Sequence, residues 1–193
     1  MPTKKHTGRG GALSARKSSR PKVIGPQKGV SASRTSSIPK VTDILQGYAD
    51  KAVFSGFSAG AARSGTISYK IVWHHDRRFE LVLDISKKTM RFPAVLPGIA
   101  RDSAMHRAFR EYLESRQSEE LPEHRRIDKK KARVRSAIHA GSVSLTLTVK
   151  DGDFEYAARK LIHLVDEIFK GFLIDGPYYE YMVEHLRLNP DQY

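Results

Sequence analysis

Val143-Ser144-Leu145-Thr146-Leu147-Thr148-Val149 decides the fold class. Aliphatic residues alternate with hydroxyl residues, and a period of two places the aliphatics on one face of a strand and the hydroxyls on the other. A strand divided in this way belongs to an antiparallel sheet with one face on a core and one toward water. Upstream, residues 133–139 are placed to pair with it across Ala140-Gly141 as a hairpin. Downstream, Asp153 is placed to cap a long helix running to about Ile174. Phe154, Ala158, Leu161, Val165, Ile168 and Phe172 give that helix an apolar stripe, widened by Ile162 and Phe169. Asp175-Gly176-Pro177 then ends it and starts a last helix, with Tyr179, Met182, Val183 and Leu186 on its apolar side.

Further upstream, Ile67, Tyr69, Ile71 and Trp73 lie two apart, as do Phe79, Leu81, Leu83 and Ile85. These predict two strands joined by a turn at residues 74–78. A second turn at residues 86–89 leads to a short strand near residues 90–92, which Pro93 and Pro97 are expected to end. Residues 55–65 read as a loop of small residues. Thr42 is placed to cap a helix reaching about Val53, and Asp102 a helix carrying Met105, Phe109, Tyr112 and Leu113. Residues 117–131 read as a polar, exposed connection. The order is α-βββ-α-ββ-α-α: an α+β domain over residues 41–193, with an antiparallel sheet of about five strands covered by helices.

This order of elements resembles the small α/β fold of type III secretion chaperones and related bacterial domains, over residues 41–174. The resemblance implies homodimers that bind other polypeptides without catalysis. Residues 153–193 also resemble the C-terminal segment of uncharacterised bacterial proteins. Unlike the acidic secretion chaperones, this chain is basic and carries a cationic N-terminal stretch.

Charge is unevenly distributed. The net charge of +13 rests mainly on residues 1–40, where Lys4, Lys5, Arg9, Arg16, Lys17, Arg20, Lys22, Lys28, Arg34 and Lys40 are accompanied by no acid. The rest of the chain has 24 cations against 21 acids. Rich in Gly, Ser and Pro, residues 1–40 have too little apolar surface to offset ordering entropy, and a disordered tail is expected. Cations without acids on such a tail suit nucleic acid or another polyanion, because each phosphate neutralised releases counterions; a solubility extension has the same composition. With no aromatic residue in the tail, base stacking there is not expected. Lys129, Lys130, Lys131, Arg133 and Arg135 form a second basic cluster, readable as a nucleic-acid patch or as a charged edge strand that discourages aggregation. Tyr178 and Tyr181 read either as anchors for a protein partner or as rim packing.

Several kinds of chemistry lack their residues. No cysteine is present, which removes disulfides and thiolate metal sites. No nucleophile elbow or phosphate-binding loop occurs. His74-His75-Asp76 falls in a turn, where neighbouring side chains diverge. His163 with Glu167, and Glu180, Glu184 and His185, could meet across two helices, but without the Glu-x-x-His spacing of a bundle metal site. The reading is a non-catalytic binding or adaptor protein needing no cofactor or metal, with a basic tail that adds polyanion affinity. The alternatives are a dedicated nucleic-acid-binding domain and an enzyme built on those His and Glu residues. No apolar run long enough for a membrane span and no secretory signal are seen, so a cytoplasmic location is expected.

Overall fold

Alternating strands assemble into a sheet with one buried face. The computed structural model describes residues 37–189. Its elements are α1 (Ser37–Asp50), β1 (Gly56–Ala59), β2 (Thr66–Trp73), β3 (Arg77–Asp84), β4 (Thr89–Leu96), α2 (Ala104–Ser115), β5 (Ala132–His139), β6 (Ser142–Val149), α3 (Phe154–Glu167) and the short α4 (Tyr179–Tyr181). All strands pair antiparallel in the order β1-β2-β3-β4-β6-β5, so the class is α+β.

Tyr69, Ile71, Leu81, Leu83, Met90, Phe92, Leu145 and Leu147 all point to the buried face. Leu161, Val165, Ile168 and Phe169 cover them from above. α1 lies against α3 and β1, α3 crosses β4 and β6, and α2 runs beside β5. The opposite face of the sheet carries the polar partners of the alternation, among them Lys70, Glu80, Arg91, Thr148, Arg133 and Arg135.

Six strands form where five were expected. The extra one is β1, inside the stretch read as a loop; it pairs Gly56–Ala59 with β2 and owes little to its own side chains. β4 also runs through Pro93 to Leu96, with a shift of register between Phe92 and Leu96. An irregularity in the ladder tolerates the missing proline N–H, so Pro93 does not end the strand.

Three helix starts differ from expectation. α1 begins at Ser37, and Thr42 lies inside it, its hydroxyl bonding the Ile38 carbonyl (2.9 Å) and the Tyr69 hydroxyl (2.9 Å). Lys40, counted above with the tail, is therefore on a helix and pairs with Glu155 at 2.8 Å. Ser103, not Asp102, caps α2 by accepting the His106 N–H at 3.1 Å; Asp102 has φ 60. Pro177 precedes the last helix, which starts at Tyr179. Asp153 does cap α3, accepting from Tyr156 N–H at 2.9 Å. The helix it starts changes to π-helical winding over Ile168–Ile174, as does the last helix over Met182–Leu186. Tyr181 donates to the Pro97 carbonyl (2.7 Å) and ties that last helix to the end of β4. The remaining tail cations, Lys4 to Arg34, lie outside the described residues.

Candidate functional site

The margin formed by β4, β6 and β5 gathers cations from distant parts of the sequence. Because β4 pairs with β6, Arg91 stands opposite Thr146, which on its other side stands opposite Arg135. One row thus reads Arg91, Thr146, Arg135 across three strands, and the next reads Thr89, Thr148, Arg133. Strand spacing puts Arg91 and Arg135 about 10 Å apart, with Arg133 about 7 Å from Arg135 along β5. Val82 is the β3 partner of Arg91, so no carboxylate stands directly opposite either arginine.

Two acids share this face: Glu80 stands opposite Lys70, and Asp84 stands opposite Thr89 with Lys87 Nζ at 2.9 Å. Hydrogen bonds from Lys87 hold the Asp84 carboxyl below its usual range. At the lower end of the same margin, Lys88 accepts the Val149 N–H through its carbonyl (2.8 Å), and Lys150 Nζ reaches the Lys129 carbonyl (2.6 Å). Lys129 and Lys150 line a hollow there with Arg133, and Lys88 and Lys130 are exposed on the adjoining turns. Lys131, the middle of the basic run, turns away: its Nζ is 3.5 Å from Asp153 and 4.8 Å from the Tyr156 ring. Of the run at 129–135, Lys129, Arg133 and Arg135 are placed at this margin; the β5–β6 hairpin adds Lys150, and the pairing of β4 with β6 adds Arg91. No local pattern connects Arg91 to the run, because a long-range pairing brings it there.

Beside this face lies a groove of about 560 Å³ between α2 and β5, lined by Arg101, Arg110, Leu113, Glu114, Arg135 and Ser136 among others. A second hollow of about 410 Å³ continues it past Gln117, Lys129 and Lys150. β5 is the edge strand, and its register fixes which backbone groups look into the groove. Lys150 N–H donates to the Lys131 carbonyl (2.7 Å), and the opposed pairs continue as Arg133 with Thr148, Arg135 with Thr146 and Ala137 with Ser144. In an antiparallel ladder the intervening residues, Val134, Ser136 and Ile138, then direct N–H and C=O away from β6. The Arg101 guanidinium donates to the Ile138 carbonyl at 3.3 Å, as that geometry requires.

The histidine and carboxylate groups singled out in the sequence fall into separate clusters. Glu167 is 9% exposed and is held by Arg125 (2.6 Å), Arg116 (3.3 Å) and His163 (3.5 Å). Burial raises its proton affinity, but hydrogen bonds from Arg125 and Arg116 outweigh it and leave the carboxyl below its usual range. This cluster also anchors the connection read as merely exposed, in which Ile127 is buried. Glu180, Glu184 and His185 are exposed on the last helix, away from this cluster. Among the described residues, no three His, Asp or Glu side chains are placed to hold a metal ion. His74 is buried between the rings of Trp73 (4.1 Å) and Phe169 (4.2 Å). Burial, reinforced by the nearby Lys170, His75 and Arg77 charges, lowers its pKa to about 3.

Both tyrosines singled out as anchors are engaged within the chain: Tyr178 packs on Phe172 at 4.7 Å and Tyr181 bonds Pro97. Tyr179 and Val183, one helical turn apart, are the exposed large residues of that helix. Among the described residues, no helix is long and apolar enough to cross a membrane. No protein-family model, curated protein or solved structure matches the chain.

Proposed function

We propose that this is a non-catalytic binding protein whose folded domain takes an extended segment of an acidic protein partner along β5. The carrying observation is the outward N–H and C=O of Val134 and Ser136 at the side of the groove. An exposed strand edge is a template for one more strand, with main-chain bonds giving affinity and side-chain pockets giving selectivity. Around the groove, Arg101, Arg110, Arg133 and Arg135 outnumber Asp102 and Glu114. The resemblance to polypeptide-binding chaperones supports the same reading.

Charge argues against a second copy as the added strand. Two β5 strands side by side would bring Arg133 and Arg135 of both onto neighbouring positions, and like charges across a ladder are destabilising. The chain's own residues 1–36 are cationic too, so they suit a polyanion better than this groove.

Amide hydrogen exchange with a model peptide of alternating Val and Glu tests the reading. The amides of Val134 and Ser136 exchange rapidly in the free protein and gain protection with the peptide, and Arg101→Glu with Arg110→Glu abolishes the gain. Binding that leaves both amides unprotected overturns strand addition.

A further inference from the structure

The open face of β4, β6 and β5 carries a second site, which shares Arg133 and Arg135 with the rim of the groove and adds Arg91. We infer that it is a binding surface for the phosphodiester backbone of nucleic acid, gripping phosphates without reading bases.

Three features lead there. The first is repetition. Arg91 and Arg135 flank Thr146, Arg133 lies beside Thr148, and Lys129 and Lys150 line a hollow with Arg133 toward the lower end. One small anion would engage one arginine pair, whereas a spread of about 10 Å across the strands, continued along β5, fits an anion that repeats. The second is the type of group. Arginine guanidiniums beside threonine hydroxyls donate hydrogen bonds to phosphate oxygens, arginine in a two-pronged manner, and none of these side chains faces a directly opposed carboxylate.

The third feature is an absence on this face. The residues that alternate outward on β4, β6 and β5 include no Phe, Tyr or Trp, and the one ring among them, His139, sits at the far end of β5, so bases have little to stack on. The same lack argues against a lipid surface, which favours tryptophan, phenylalanine or leucine beside its cations. The exposed large hydrophobic residues Val53, Tyr179 and Val183 all sit on or next to helices instead. Residues 1–36 add nine further cations and no acid in the same chain, so a long polyanion can engage both regions at once. Although the folded part is nearly neutral as a whole, this segregation of its cations supplies the complementarity.

Labelled single-stranded DNA of mixed sequence, titrated with full-length protein over a range of salt concentrations, tests the site. Each phosphate contact on a single strand contributes about 0.7 to the slope of log affinity against log salt. The triple variant Arg91→Gln, Arg133→Gln, Arg135→Gln should therefore lose about 2 from that slope and bind roughly tenfold or more weakly at low salt. A control triple on other surfaces, Lys51→Gln, Arg159→Gln, Arg187→Gln, removes the same charge and should keep the slope. Arg91→Lys, Arg133→Lys, Arg135→Lys should keep most of it, which separates loss of charge from loss of fold. Equal losses in the first two triples would mean that net charge alone governs binding. An unchanged slope in the first would leave all affinity to residues 1–36. Binding to phosphatidylserine vesicles as tight as to DNA would give the face another ligand. Each of these three results overturns the proposal.

Discussion

Where β2 turns into β3 beneath the end of α3, polar groups are taken inside; along β4, β6 and β5 they are left in water. In the first region His74 is clamped between two rings and Glu167 is enclosed by Arg116, Arg125 and His163. In the second, Arg91, Arg133 and Arg135 stand exposed with threonines between them. Titratable groups in the first region are engaged with the chain itself and hold the fold together. Those in the second add little to stability and are available to a ligand. Perturbed ionisation is an uncertain guide to function, because structural networks perturb it as well. Here the group most shifted, His74, belongs to the core.

Acidification should produce the largest difference between the two regions. His74 titrates near 3 when folded and near 6.5 when unfolded, so between those values the unfolded chain carries a proton that the folded chain does not. Stability therefore falls as pH drops from 6.5, by on the order of 5 kcal/mol once pH 3 is reached. Glu167, with a lowered value, stabilises the fold above its unfolded value and loses that contribution only as pH falls through the folded one. Both groups act in the same direction but in different windows. His74→Asn should be less stable at neutral pH yet delay the onset of acid loss to the carboxylate range, as read by denaturant unfolding across pH. An onset still near 6.5 would mean that another group sets it.

Packing comes next. Phe169 stacks on His74 and meets Phe79 edge-on at 5.9 Å, so Phe169→Ala should cost about 4 kcal/mol in chemical unfolding. Glu167→Ala leaves Arg116 half-enclosed without its carboxylate and should cost about 3 kcal/mol. The smallest effect belongs to the exposed margin: Arg91→Gln, Arg133→Gln and Arg135→Gln should each shift stability by less than about 0.5 kcal/mol. A large loss there would show that these arginines serve the fold and would erase the contrast.

Local pattern revealed what local forces build. The alternation at 143–149 foretold β6, and Asp153 foretold the start of α3. β1 escaped notice because Gly56, Ser58 and Ala59 have weak strand preference, and β2 supplies the pairing. Pro93 misled because a bulge relieved the constraint that a regular ladder would have imposed. Asp102 was a sound cap by residue type, but a left-handed backbone there passed the role to Ser103. The candidate surface was half legible. Arg133 and Arg135 showed in the run of charge and Lys150 joins them through the β5–β6 hairpin, whereas Arg91 joins only through the pairing of β4 with β6. The turn to π-helical winding at Ile168 had no visible signal, and we have no physical account of it.

The unequal edges of the sheet also set a valence. β1 is four residues long and lies under α1, whereas β5 is eight residues long and bounded by arginines. A strand added to β5 finds no comparable edge at the far side of the sheet on which a neighbouring complex could dock. If β5 takes a guest strand as proposed, the expected stoichiometry is one guest strand per chain, because the domain itself offers no second edge of that length.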